Sequence, residues 1–204
     1  MANPWVTAPA DPPPSADKPK PVRRGRSSPP RAPQASVVPA LDRGGMDVWD
    51  AGPAELNPPW WWVGCHGGAG VGTLNALLPG GADGGRGWPV ASDGGITRVI
   101  LVSRSNATGL HAAQLASRQW ASGAVPSVVL LGLAVIADAP GRPPKPLADL
   151  LTLVGGGFPH VWSVPWIEQL RLGELPPLAR LPKPLHRLGT DLSSLLIERG
   201  PAVS

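Results

Sequence analysis

One cysteine, Cys65, in 204 residues rules out an intramolecular disulfide framework, and with it the stapled folds of small secreted domains. The four histidines, His66, His111, His160 and His186, have no metal-type spacing, so a zinc signature is also missing and no metal site is expected. Tyrosine is absent and phenylalanine occurs once, which leaves aromatic packing to nine tryptophans. Long apolar runs are lacking too: the longest, residues 125–137, contains Pro126 and is too short to span a bilayer. The start, Met1-Ala2-Asn3-Pro4-Trp5, has neither the basic nor the apolar part of a secretory signal. These absences lead to the expectation of a soluble, cytoplasmic chain with no transmembrane segment.

What is present is punctuation. The chain has 28 Pro and 26 Gly, about a quarter of its residues, so one compact domain is not expected to fill it. Arginine outnumbers lysine, a bias that fits high-GC bacterial coding. Residues 1–59 show no sustained helical or strand period and read as a disordered, Pro- and Arg-rich arm, with one short helical turn expected at Met46 to Trp49. The net charge of +4 is concentrated there: Lys18, Lys20, Arg23, Arg24, Arg26 and Arg31 form a cluster interleaved with prolines. Such a segment is either a solubilising tail or a weak electrostatic contact to nucleic acid or an anionic surface.

From Trp60 the texture changes to apolar runs divided by Gly-rich turns, and residues 60–199 form one domain's worth of chain, followed by a tail at 200–204. Four runs read as buried strands: Trp60-Trp61-Trp62-Val63, Val99-Ile100-Leu101-Val102, residues 128–136, and Val161-Trp162-Ser163-Val164. Helices are expected at 73–78, 107–122, 146–154, 166–172 and 184–198. Strands without internal alternation, each followed by a helix, imply a parallel sheet with flanking helices, an α/β fold. Trp60, Trp61, Trp62, Trp88, Trp120, Trp162 and Trp166 are read as core residues.

The first strand runs into Gly64-Cys65-His66-Gly67-Gly68-Ala69-Gly70-Val71-Gly72-Thr73, ahead of a helix. A Gly-rich turn in that setting lets backbone N–H groups converge on an anion. The P-loop pattern G-x-x-x-x-G-K-[ST] also calls for a lysine, and Val71 stands there. Cys65 beside His66 raises the alternative of a nucleophile and base, but adjacency in sequence does not make the two face each other. The loop is also similar to a tyrosine phosphatase loop at residues 69–73, without the arginine that would bind the phosphate dianion.

At His66-Gly67-Gly68-Ala69-Gly70-Val71-Gly72-Thr73 the chain resembles the MinD/ParA family of deviant P-loop ATPases, whose loop reads K-G-G-V-G-K-T-[ST]. It is similar too to loops of uncharacterised high-GC bacterial proteins. His66 replaces the family's signature lysine, Val71 the P-loop lysine and Gly72 the first threonine. Later segments follow the family's order: Val99 to Arg104 before a helix, Val135-Ile136-Ala137-Asp138 at a base-contacting strand end, and Val164-Pro165-Trp166. No strand ending in an acidic switch is expected between Thr73 and Val99, where Asp83 and Asp93 read as turn residues. A second alignment takes Ala137-Asp138-Ala139-Pro140-Gly141 as similar to the Walker B and switch segment D-x-P-x-G, with Asp138 reaching Mg²⁺ or its water.

The resemblance implies a reduced P-loop-like domain with ATP or ADP and Mg²⁺ as ligands, bound through His66, Gly67, Gly68, Ala69, Gly70, Gly72 and Thr73. With Val71 in place of lysine, the preferred reading is a non-hydrolysing domain, not an enzyme, that senses a nucleotide or contacts an unidentified protein partner. Two alternatives stand beside it: an active ATPase using His66 and Asp138, and a DNA-associated adaptor acting through the basic arm.

Overall fold

The computed structural model describes residues 44–197; the Lys18 to Arg31 cluster and the tail at 200–204 lie outside the described residues. Along the chain come β1 (Asp47–Asp50), a 3-10 turn (Ala54–Leu56), β2 (Trp61–Gly64), α1 (Val71–Leu77), β3 (Ala82–Asp83) and β4 (Gly87–Val90). There follow β5 (Thr97–Arg104), α2 (Ala107–Ala121), β6 (Val128–Ile136), α3 (Lys145–Gly155), β7 (Val161–Val164), α4 (Glu168–Arg171), a second 3-10 turn (Leu178–Arg180) and α5 (Lys183–Ile197). The main sheet has the order β3-β2-β5-β6-β7, and every pairing in it is parallel. β1 and β4 form a separate parallel pair. None of the described helices is long and apolar enough to cross a membrane.

The two central strands are built from β-branched and leucine side chains and are buried on both faces, as a parallel sheet between helices requires. One face packs Trp62, Ile100, Val102 and Ala134 under Leu74 of α1 and Leu185, Leu188 and Leu192 of α5. The other packs Val99, Leu101, Leu130 and Leu133 under Leu110, Ala113 and Ala116 of α2 and Val154 of α3. β6 carries a bulge where Val99 pairs with Leu130 and Ile100 with Gly132, so Leu131 has no partner on β5, and its side chain lies in the core on the α1/α5 side. Trp60, Trp62, Trp88 and Trp162 are buried as expected, and the Trp60 and Trp62 rings meet edge to face at 5.9 Å.

The chain departs from the sequence reading in its short elements. Where Met46 to Trp49 was expected as a helical turn within the arm, Asp47 to Trp49 instead belong to β1, and Trp49 meets Trp61 edge to face at 5.3 Å. Between Thr73 and Val99, where no strand ending in an acidic switch was expected, lie β3, which ends on Asp83, and β4. Asp83 ends β3 beside the β2 strand rather than sitting in a turn. The helix expected at 166–172 is reduced to the single turn of α4. These strands are two to four residues long and hold Gly, Pro or Asp, so their extended state comes from distant partners and not from local propensity.

Gln119 near the end of α2 is the partner that holds β1. Its Oε1 accepts from the Met46 N–H at 2.7 Å and from the Trp88 indole N–H at 2.9 Å, and its Nε2 donates to the Met46 carbonyl at 2.9 Å. Gln119→Leu leaves the indole and Met46 groups without these partners and is expected to lower stability by about 1–3 kcal/mol in urea denaturation. Amide exchange should then rise at β1 and β4; unchanged exchange there would contradict the attachment.

Candidate functional site

Counted along the main sheet, the strands run 2-1-3-4-5, so the order reverses between β2 and β5. α1 after β2 covers one face, while α2 and α3 after β5 and β6 cover the other. At such a reversal the connections leave in opposite directions and open a crevice outside the carboxyl ends of the strands, where ligands of open α/β sheets bind. β2 feeds the glycine loop into this crevice, and β5 feeds Arg104, Ser105 and Asn106 into it.

The ladder persists to Cys65, whose N–H donates to the Val102 carbonyl at 2.9 Å. The loop then turns, and Gly70 enters α1 with φ +101°, a conformation that favours glycine; a Cβ there would also lie 2.5 Å from Ile136 Cδ1 and displace that methyl. Val71, where a P-loop carries lysine, is buried in the core beside Leu74 and Leu77. The loop therefore brings no positive charge of its own to the crevice.

The charge comes from Arg104, which the sequence reading left without a role. Its Nε donates to the Gly68 carbonyl and its Nη1 to the Ala137 carbonyl, each at 3.3 Å, so the guanidinium spans the crevice from the glycine loop to the end of β6. Its Nη2 lies 3.8 Å from the position a Cβ would take on Gly70. Guanidinium has five N–H donors, so three remain, and no carboxylate pairs with it among the described residues. The signal in the sequence was an arginine two residues past the apolar run Val99 to Val102, at the sheet end where α/β proteins bind ligands.

His66, Gly67, Gly68, Thr73, Arg104 and Asp138 border one cleft of about 480 Å³, closed on its far side by Trp166 and Arg171 of the segment after β7. Arg171 lies over the Trp166 ring, 5.7 Å from its centre. A second cleft of about 460 Å³, on the β3 side of the same loop, brings Gly70, Gly72, Thr73 and Arg104 together with Asp83 and Arg86. The Asp83 Oδ1 accepts from the Gly85 N–H at 2.8 Å, and its Oδ2 lies 3.7 Å from where a Cβ on Gly72 would be. Asp83 thus stands on the strand next to the loop strand, whereas Asp138 is exposed at the end of β6, two strands away. Asp93 is spent on structure: its carboxylate accepts from the N–H groups of Gly95 and Ala54, which hold it below the usual range.

The structure does not join Cys65 and His66 as a pair. Cys65 is in the α2-side core, and burial pushes its thiol up to about 12. The His66 ring turns the other way, with Nε2 accepting from the Arg104 N–H at 3.1 Å and Nδ1 at 2.9 Å from the Gly67 carbonyl. Both ring nitrogens of His66 are thus engaged by backbone groups, one on β5 and one in the loop itself. Among the described residues no group of three or more His, Cys, Asp or Glu side chains is placed to hold a metal ion.

These features define a parallel α/β protein whose glycine-rich loop and an arginine meet at the reversal of strand order. The chain belongs to a family of unknown function, DUF6668, whose model matches residues 59–180 and so takes in every strand of the main sheet. No curated protein and no solved structure matches it.

The Cys65 environment gives a direct check on the loop's packing. In the native protein the thiol is expected to resist iodoacetamide at pH 8.5, and to react at least about tenfold faster once urea unfolds the chain and its pKa returns to about 8.5. Equal rates in the two states would contradict the buried placement.

Proposed function

We propose that this domain is a non-hydrolysing, P-loop-like module that binds the phosphate group of a nucleotide such as ATP or ADP, and that it acts as a sensor or protein-contact domain. The observation that carries the reading is Arg104: a guanidinium with three unused donors, no carboxylate partner among the described residues, and a place against the glycine loop. A phosphate supplies the acceptors those donors lack, and a planar fork suits its oxygens. Gly67, Gly68, Gly70 and Gly72 allow close approach of backbone, and Thr73 adds a hydroxyl on the same side. The absence of a lysine at Val71 supports binding without turnover, since the contact that would follow charge onto a leaving phosphate is missing.

The residues fit a phosphate better than they fit the metal that accompanies it in the resembled family. Thr73 and Asp83 share the β3-side cleft and are the oxygen donors that would face Mg²⁺ there, which favours the hydrolysing alternative. His66 gives that alternative no support, because both of its nitrogens are taken.

Isothermal titration of the full chain with ADP and with pyrophosphate tests the reading. Saturable binding is expected, weakened about tenfold or more in Arg104→Met and less in Arg104→Lys, which keeps the charge but loses the fork. No phosphate release from Mg·ATP above that of Gly70→Asp is expected. Absence of binding at millimolar ligand would contradict the reading, and turnover lost in Asp83→Asn would replace it with the ATPase.

A further inference from the structure

We infer that His66 is a positioning residue: as a neutral imidazole with its proton on Nδ1, it holds Arg104 against the glycine loop, and charging it weakens anion binding. The inference rests on the phosphate reading of the site and states how that site is kept in shape.

The tautomer follows from the donor inventory. The Arg104 backbone N–H can only donate, so Nε2, 3.1 Å away, must be the unprotonated nitrogen. The Gly67 carbonyl can only accept, so Nδ1, at 2.9 Å, carries the hydrogen. One ring thereby ties the loop after β2 to the residue that ends β5, across 38 positions of sequence. From Arg104 the tie continues through its side chain back to Gly68. His66 and the Arg104 guanidinium thus fasten neighbouring residues of the same loop, and loosening one loosens the other.

The ring has little room to answer a second proton. A proton on Nε2 would set two donors face to face, and the first turn of α2 is close on that side. A Cβ on Gly109 would lie 2.9 Å from Nε2, 2.8 Å from Ser103 Oγ and 2.5 Å from the Arg104 carbonyl. The charged groups around the ring are Arg104 on β5, Arg171 on α4, Asp138 after β6, and Asp83 and Arg86 on the β3 side. That set is net positive. If His66 met the anion directly, charging it would add to this field and strengthen binding. If it positions Arg104, charging it breaks the tie and weakens binding. The two roles differ in sign.

The test uses the full chain and inorganic sulfate, which keeps its charge between pH 8 and pH 5, the span over which imidazoles gain theirs. Sulfate affinity is expected to fall roughly three- to tenfold over that span, the worth of one hydrogen bond. His66→Gln, whose side-chain carbonyl accepts from the Arg104 N–H without titrating, should bind within about threefold of the wild type at pH 8 and show a flat profile. His66→Leu should bind weakly at both ends. Nitrogen-15 spectra of the imidazole at pH 8 should show the proton on Nδ1, a readout that needs no ligand. Binding that strengthens as the pH falls, a proton on Nε2, or a His66→Leu variant with wild-type affinity would overturn the inference and leave the anion site standing. A proton on Nδ1 with no sulfate bound at any pH would overturn the phosphate reading, and the pH effect with it.

Discussion

Parallel strands must be joined by right-handed crossovers, and here that requirement sends α1 to one face of the sheet and α2 and α3 to the other. The carboxyl ends of β2 and β5 are therefore the one place in the main sheet where the chain leaves in two directions, and the glycine loop and Arg104 occupy those two ends. Much else in the structure serves to keep these ends in register. β2 and β5 pair over Trp61 to Gly64, and Cys65 adds one more ladder bond before the loop begins. Gly70 lets Ile136 close in from β6, and Gly109 lets α2 close in on His66. Apolar packing on both faces gives the sheet its stability, and the reversal of strand order leaves a crevice that packing does not fill.

Charge placement separates this crevice from an ordinary phosphate loop. A loop lysine delivers its charge from the first turn of the helix, within the same stretch of chain that wraps the phosphate. Here the first-turn position is Val71, whose side chain has gone into the core, and the charge arrives from the neighbouring strand. The exchange has a geometric consequence. A guanidinium at Arg104 is braced by two carbonyls, Gly68 and Ala137, on opposite sides of the crevice, so it is pre-aimed and less free to follow a moving group than a lysine stem. That arrangement suits the proposed holding of a phosphate more than its transfer.

The long elements were legible because their signal is local. The apolar run that became β6 and the helical stretches of α2 and α5 carry their own pattern over eight or more residues, and β5 was read from its four apolar residues Val99 to Val102. The parallel α/β class and the glycine loop followed from them. β1, β3 and β4 were not legible, since Asp47-Val48-Trp49-Asp50 or Gly87-Trp88-Pro89-Val90 are strands only by virtue of each other and of Gln119. Within the site the same division holds. The glycines announce themselves by clustering, whereas Arg104 and Asp83 acquire meaning only when sheet order sets them beside the loop. His66 was visible as a residue of interest, but its state is decided by an N–H 38 positions away.

The central claim is that the glycine loop and Arg104 together hold a phosphate-bearing anion. A nitrogen–proton correlation spectrum of the full chain, recorded during titration with pyrophosphate, tests it most directly because it reports where the anion sits. The account predicts saturable shifts centred on the amides of Gly67, Gly68 and Gly70 and on the Arg104 Nε–H, all absent in Gly70→Asp. Shifts centred elsewhere on the molecule, or none at millimolar pyrophosphate, would contradict it.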